Sequence, residues 1–155
     1  MDWKIGGKGM NKKIGLILAL IIAVVFLSVK LYPVVFYVSM EHELGVKFSE
    51  IDKIILSNGL TGKSIEILEK NEIDEILSKY KNTNVKKNLD QELRLGCTLL
   101  ITLYKNDQEV GSIDCTENYA KICRKNSGVK YYTAIDAPSF EVIEEIAEKY
   151  DLNKR

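Results

Sequence analysis

A long, mostly apolar run of residues near the N-terminus dominates the hydropathy pattern of the chain. It extends from Ile14 to Val38 and contains one charge, Lys30. A helix needs roughly 20 mostly apolar residues to cross about 30 Å of hydrocarbon, and a lysine near its end can extend its ammonium toward the headgroups. The pattern therefore predicts a transmembrane helix over residues 14–38, in contact with membrane lipid.

The charges on either side of this run predict its orientation. Lys12 and Lys13 precede it, whereas Glu41 and Glu43 follow it. Because basic residues accumulate on the cytoplasmic side of membrane helices, residues 1–13 are predicted to be a cytoplasmic tail. The predicted location is the cell membrane, with a single span and the C-terminal part on the extracytoplasmic side.

Two alternatives concern the N-terminal part. A cleaved signal peptide would have its apolar region at 14–27, but residues 28–40 contain no convincing small-residue cleavage pattern. A translation start at Met10 would leave residues 1–9 untranslated, since Gly6-Gly7-Lys8-Gly9 back-translates to a purine-rich stretch. Lys12 and Lys13 remain under the second alternative, so the predicted orientation is unchanged.

After residue 38 the apolar segments are shorter, and apolar residues recur within them at regular spacing. Residues 39–49 are interpreted as a juxtamembrane linker, and residues 50–155 as one extracytoplasmic α+β domain. Alternating apolar and β-branched residues predict strands over 51–57, 64–69, 83–87, 97–104, 109–115, 118–124 and 129–135. Apolar residues at helical spacing predict a helix from Glu72 to Tyr80 or Lys81 after an Asn71 cap, and another beginning at Pro138.

This order of elements predicts the architecture of the domain. Consecutive hairpins favour a mostly antiparallel sheet, and each helix has one apolar stripe to bury. The simplest arrangement packs both helices on one face of the sheet. The predicted fold is therefore α+β, an N-terminal transmembrane helix followed by a two-layer domain.

Three cysteines, Cys97, Cys115 and Cys123, lie in the predicted domain. The sequence does not fix the register of the 97–115 hairpin, but a three-residue loop would pair Tyr104 with Gln108 and place Cys97 opposite Cys115. A disulfide between Cys97 and Cys115 is one interpretation, and one between Cys115 and Cys123 is another. Burial of all three as small apolar side chains is the third.

The charge of the chain limits the classes of partner that it is expected to bind. The net charge is zero, but residues 41–155 contain 17 Lys and Arg side chains against 21 Asp and Glu side chains, a net charge of −4. A mildly acidic domain argues against nucleic acid as a partner, and against a broad basic patch for anionic lipid.

The remaining residues that could take part in binding or catalysis have simpler structural interpretations. His42, between Glu41 and Glu43, is interpreted as a solvated residue rather than a metal ligand, and Gly62-Lys63-Ser64 as a hairpin turn rather than a phosphate-binding loop. Acidic pairs at Asp74-Glu75 and Glu144-Glu145 indicate solvated helix faces. The strand tyrosines at positions 104, 119, 131 and 132 would form a ligand surface only if several shared one exposed face. No catalytic, cofactor-binding or metal-binding residue is predicted.

The chain resembles small, uncharacterised single-pass exported proteins of low-GC Gram-positive bacteria. The resemblance lies in MNKK before the apolar run, the hairpin IDKIILSNGLTGKSIEIL, the helix NEIDEILSKY and the closing KYYTAID with its helix. Such proteins carry a domain of unknown function, so the resemblance implies a location but no site residues. The predicted function is a membrane-tethered binding or regulatory module with an envelope protein or cell-wall partner. An anchored hydrolase and a structural subunit of an envelope complex are the alternatives.

Overall fold

The computed structural model describes residues 12–91, 99–125 and 127–153. An N-terminal helix, α1 (Lys12–Val35), precedes a domain built on one eight-stranded antiparallel sheet with short helices. The α+β class predicted from the sequence is therefore confirmed.

Helix α1 ends before the apolar run does. Val38 and Ser39 form a short strand, β1 (Val38–Ser39), whose residues lie opposite Val85 and Asn84 of β4 (Asn84–Lys87). The prediction that the helix reaches Val38 was wrong, because pairing with the edge of the sheet takes this residue into a strand. Only Phe36 and Tyr37 separate helix α1 from the domain.

The segment after β1 belongs to the folded domain. Helix α2 (Met40–Leu44) begins at Ser39, whose hydroxyl accepts the amide hydrogen of His42, and it ends at Gly45 in a left-handed conformation. A 3₁₀ helix (Phe48–Glu50) follows. Where the sequence predicted a linker over 39–49, the structure buries apolar side chains in the core, namely Met40, Leu44, Val46 and Phe48.

The strands lie in the order β1–β4–β8–β7–β6–β5–β2–β3, and every neighbouring pair is antiparallel. The remaining strands are β2 (Lys53–Asn58), β3 (Ser64–Ile67), β5 (Leu99–Lys105), β6 (Gln108–Thr116), β7 (Tyr119–Arg124) and β8 (Gly128–Ile135). Each matches a predicted strand closely, because alternation of buried and exposed side chains is a strong local signal.

Two helices cover one face of this sheet, which we call the helix face. They are α3 (Lys70–Ser78) and α4 (Phe140–Lys149), and an ion pair of 3.0 Å between Lys149 and Glu75 joins them. Both begin away from their predicted starts, with Glu69 rather than Asn71 at the N-cap of α3, and Pro138 two residues before α4. Their buried residues and the helix face form the core: Ile54, Leu56, Ile73, Ile76, Leu77, Leu99, Ile101, Leu103, Ile113, Ala120, Ile122, Ile143, Ile146 and Ala147.

The register of the β5–β6 hairpin differs from the predicted one. Tyr104 lies opposite Glu109 rather than Gln108, and a bulge follows Leu103. The turn is short because Asn106 and Asp107 both adopt positive φ, 52° and 58°, which these residue types tolerate.

Candidate functional site

A buried carboxylate and a buried phenol meet on the helix face. The hydroxyl of Tyr132 on β8 donates a hydrogen bond of 2.6 Å to Oε1 of Glu43 on α2. Tyr132 is 1% exposed and Glu43 8% exposed. Burial, and then the hydrogen bond to Glu43, raises the pKa of Tyr132 well above its ordinary value, so its hydroxyl keeps its proton and donates.

Arg124 lies beside this pair, at the end of β7. Its positive charge acts against the other influences and lowers the pKa of Tyr132. A Cβ at Gly45 would lie 2.9 Å from Nη2 of Arg124, so the guanidinium packs over the end of helix α2. Gly45 is favoured by its φ of 75°, whereas the Arg124 side chain could shift to make room for a Cβ.

The other side of Arg124 faces an open cleft of about 650 Å³. We call it the Arg124 cleft. It lies between the loop after α2, the β5–β6 turn and the β7–β8 turn, and it is lined by Leu44, Gly45, Val46, Glu50, Lys105, Asn106, Gln108, Glu109, Val110, Arg124, Lys125 and Ser127.

The charges in the Arg124 cleft are not evenly balanced. Lys105 and Glu50 neutralise one another through an ion pair of 2.7 Å, and this contact lowers the pKa of Glu50. Arg124 and Lys125 make no ion pair within the described residues. A half-buried guanidinium that forms no ion pair can bind the oxygens of an anionic group through two parallel N–H donors.

The thiols do not form the alternative disulfide. Cys115 is buried on the helix face, whereas Cys123 is half-buried on the opposite face, and no disulfide joins the two. A link between Cys115 and Cys123 was therefore a wrong interpretation. Burial, followed by the nearby charge of Asp114, raises the pKa of Cys115 to about 12, so the thiol is inert at neutral pH.

The pairing of Cys97 with Cys115 stays a prediction, because Cys97 lies outside the described residues. The observed register bears on its geometry. Ile101 lies opposite Ile113, and continuing this register by two residues places Leu99, rather than Cys97, opposite Cys115.

The other residues that the sequence offered as candidates for a functional site do not line the Arg124 cleft. His42 is exposed on α2, and Gly62-Lys63-Ser64 lies where the β2–β3 turn meets β3, as predicted. Within residues 12–91, 99–125 and 127–153, no three or more His, Cys, Asp or Glu side chains are grouped to hold a metal ion. The strand tyrosines are divided, since Tyr132 lies on the helix face and Tyr119 and Tyr131 pack against each other on the opposite face.

Sequence reasoning missed both Glu43 and Arg124. Glu43 and Tyr132 are 89 residues apart, and a long-range pair of this kind has no local pattern. A short signal for α2 was present, since Ser39 and Gly45 are the residue types that begin and end a helix. No family model, no curated protein and no solved structure matches this chain.

Proposed function

We propose that the protein is a single-pass membrane protein that presents its α+β domain on the extracytoplasmic side as a binding or regulatory module. The observation that carries the proposal is the exposure of α1. The segment Ile14–Tyr32 is long and apolar enough to cross a membrane, and none of it is buried against the domain.

The energetic argument follows from the number of apolar side chains left uncovered. Burying one Leu, Ile, Val or Phe is worth about 1.5–3 kcal/mol, and α1 exposes more than a dozen of them. A bilayer covers all of these side chains at once. With 24 residues, α1 is about 36 Å long, sufficient to cross about 30 Å of hydrocarbon.

The short connection to the domain favours retention of the anchor over cleavage as a signal peptide. Two residues separate Val35 from Val38, and Val38 and Met40 are already buried in the domain. A peptidase cutting after Tyr37 would cut next to the first strand of the sheet. The charged residues on either side of α1 support an extracytoplasmic location for the domain, namely Lys12 and Lys13 before it and Glu41 and Glu43 after it. The resemblance to small exported proteins supports the same location.

The Arg124 cleft supports a binding role. Its half-buried guanidinium, with Lys125 beside it, supplies directed donors for an anionic group. An envelope protein, a cell-wall polymer or the membrane itself could carry such a group.

Retention of α1 is tested by the intact mass of the protein extracted from membranes after a wash at alkaline pH. We expect the protein to remain in the membrane pellet with a mass that includes residues 12–35. A species that begins after residue 28 and is released by the wash would contradict the anchor and would identify a cleaved signal peptide.

A further inference from the structure

The position of α1 defines one end of the sheet. Strand β1 starts at Val38 opposite Val85 and runs antiparallel to β4, so the chain leaving α1 passes beside Lys86 and Lys87. Helix α1 also contacts β4. In this antiparallel sheet the C-terminal ends of β4 and β7 and the N-terminal end of β8 point the same way. Lys87 lies opposite Tyr132 and Arg124 lies opposite Gly128, so β4 ends four residues, about 13 Å, before the level at which β7 ends. We call this region the helix-proximal end.

The helix-proximal end is basic. It contains five cations: Lys86, Lys87, Arg124, Lys125 and Lys130. None of the five forms an ion pair within the part of the chain that the structure describes. Four acids lie nearest to them among the described residues: Asp90 after β4, the buried Glu43 beside Arg124, and Glu109 and the Lys105-paired Glu50 in the Arg124 cleft.

Exposed apolar side chains lie among these cations. Leu89, just beyond β4, is 87% exposed, and Val129 at the start of β8 is 46% exposed. Phe36 and Tyr37 leave the anchor at the same end and are also exposed. Apolar and aromatic side chains flanked by Lys and Arg are the combination that binds the interface of an anionic bilayer.

The domain has a negative net charge although its helix-proximal end is basic, because most of its acidic side chains lie elsewhere. Seven acidic side chains lie on the two helices, namely Glu72, Asp74, Glu75, Glu141, Glu144, Glu145 and Glu148. Toward β2 and β5 the charges are paired, as in Lys53 with Asp107 at 3.3 Å. The sequence-based expectation that a net charge of −4 argues against a basic lipid-binding patch considered the sum of the charges and not their positions.

We propose that the helix-proximal end docks on the surface of the bilayer that holds α1 and binds the phosphates of anionic phospholipid headgroups. Leu89 and Val129 enter the headgroup region, the four lysines lie along it, and Arg124 binds one headgroup phosphate at the mouth of its cleft. The proposal rests on the membrane anchoring proposed above, but not on which side of the membrane the domain occupies.

Lysine acetylation footprinting tests this docking on the full chain in lipid nanodiscs. One set of discs contains phosphatidylcholine and the other a mixture of phosphatidylcholine with phosphatidylglycerol. We expect Lys86, Lys87, Lys125 and Lys130 to acetylate about fivefold more slowly on the anionic discs. This protection should disappear at an ionic strength of about 1 M, where charges are screened within about 3 Å. Lys79 and Lys81, exposed lysines that precede β4 at the opposite end of the sheet, are the internal control and should not change.

Paired variants separate this docking from general effects. Lys86→Gln with Lys87→Gln should weaken the protection of Lys125 and Lys130, whereas Lys79→Gln with Lys81→Gln should leave it intact. Leu89→Asp should weaken it as well, whereas Leu60→Asp, at a residue 76% exposed in the β2–β3 turn, should not.

Three outcomes would overturn the proposal. Equal acetylation rates on both kinds of disc would exclude recognition of anionic lipid. Protection of the four lysines by inorganic phosphate added to neutral discs, as strong as that on anionic discs, would identify a free-phosphate site instead. Equal loss of protection in the Lys79/Lys81 and Lys86/Lys87 pairs would indicate a nonspecific effect of charge. None of these results concerns retention of α1, which the intact mass tests separately.

Discussion

The hydrogen bond between Tyr132 and Glu43 shows how a single long-range contact joins the first segment of the domain to one of its last strands. It joins α2 to β8 across the core, with both partners removed from water. A buried carboxylate is tolerated when donors satisfy it, and is costly when a donor is removed. The contact therefore positions the loop after α2, which forms one wall of the Arg124 cleft.

Replacing Tyr132 with phenylalanine should destabilise the domain. The change removes the donor and leaves Glu43 buried, so we expect a loss of about 1–3 kcal/mol in the free energy of unfolding. Tyr150→Phe is the matched control, because its hydroxyl also donates to a carboxylate, Glu72, but at 3.3 Å and partly exposed. Urea unfolding followed by circular dichroism measures both. Equal losses in the two variants would contradict the role assigned to the buried pair.

The two described thiols should differ in reactivity. We expect iodoacetamide at pH 8 to modify Cys123 and to leave Cys115 unmodified until the protein unfolds, since burial raises the pKa of Cys115 to about 12. Peptide mass spectrometry identifies the modified residue. If Cys115 stays unmodified after unfolding without reductant and reacts after reduction, the predicted disulfide with Cys97 is present.

The raised pKa of Cys115 also implies a dependence of stability on pH. In the unfolded chain the thiol ionises near its ordinary pKa of 9.0, whereas in the folded chain it stays neutral up to about 12. Its contribution to stability is complete below pH 9 and is lost as pH rises from 9 to about 12. In Cys115→Ala the decline of unfolding free energy over this interval should be shallower than in the native protein.

At the scale of elements, local patterns were sufficient for most strands and for the α+β class. Ile54 and Leu56, or Ile101 and Leu103, alternate with more exposed residues, and this alternation persists in the fold because one face of the sheet is covered. Helix α2 was missed because its five residues are too few for a periodic signal, and its core residues become buried only when the sheet forms. The β5–β6 register could not be predicted because it depends on the conformation of Asn106 and Asp107. The Arg124 cleft could not be predicted because three loops far apart in sequence enclose it.

The close approach of β6 and β7 depends on Gly111. A Cβ at this position would lie 2.5 Å from the backbone carbonyl oxygen of Cys123, so Gly111→Ala must push the two strands apart. We expect a loss of about 3 kcal/mol, at the upper end of the usual cost of overpacking. Gly62→Ala is the comparison, because its φ is 73° with open space around it, and its cost should be only about 1 kcal/mol. Equal effects in urea unfolding would contradict the close packing of β6 on β7.

At the scale of the whole molecule, helix α1 and the domain are separate in their chemistry but close in space. The domain has its own core, and α1 contributes only the two-residue connection and a contact with β4. Under the anchoring proposed above, so short a connection would keep the domain at the membrane surface, and the Arg124 cleft and the five cations would lie on the part of the domain toward α1.

The extracytoplasmic placement of the domain is tested most directly by labelling intact cells with a membrane-impermeant amine reagent and then mapping the modified lysines in the membrane-extracted chain. The proposed orientation predicts modification of exposed domain lysines such as Lys63, Lys79 and Lys81, while Lys12 and Lys13 react only after the cells are lysed. Modification of Lys12 and Lys13 in intact cells, with the domain lysines unmodified until lysis, would contradict the orientation.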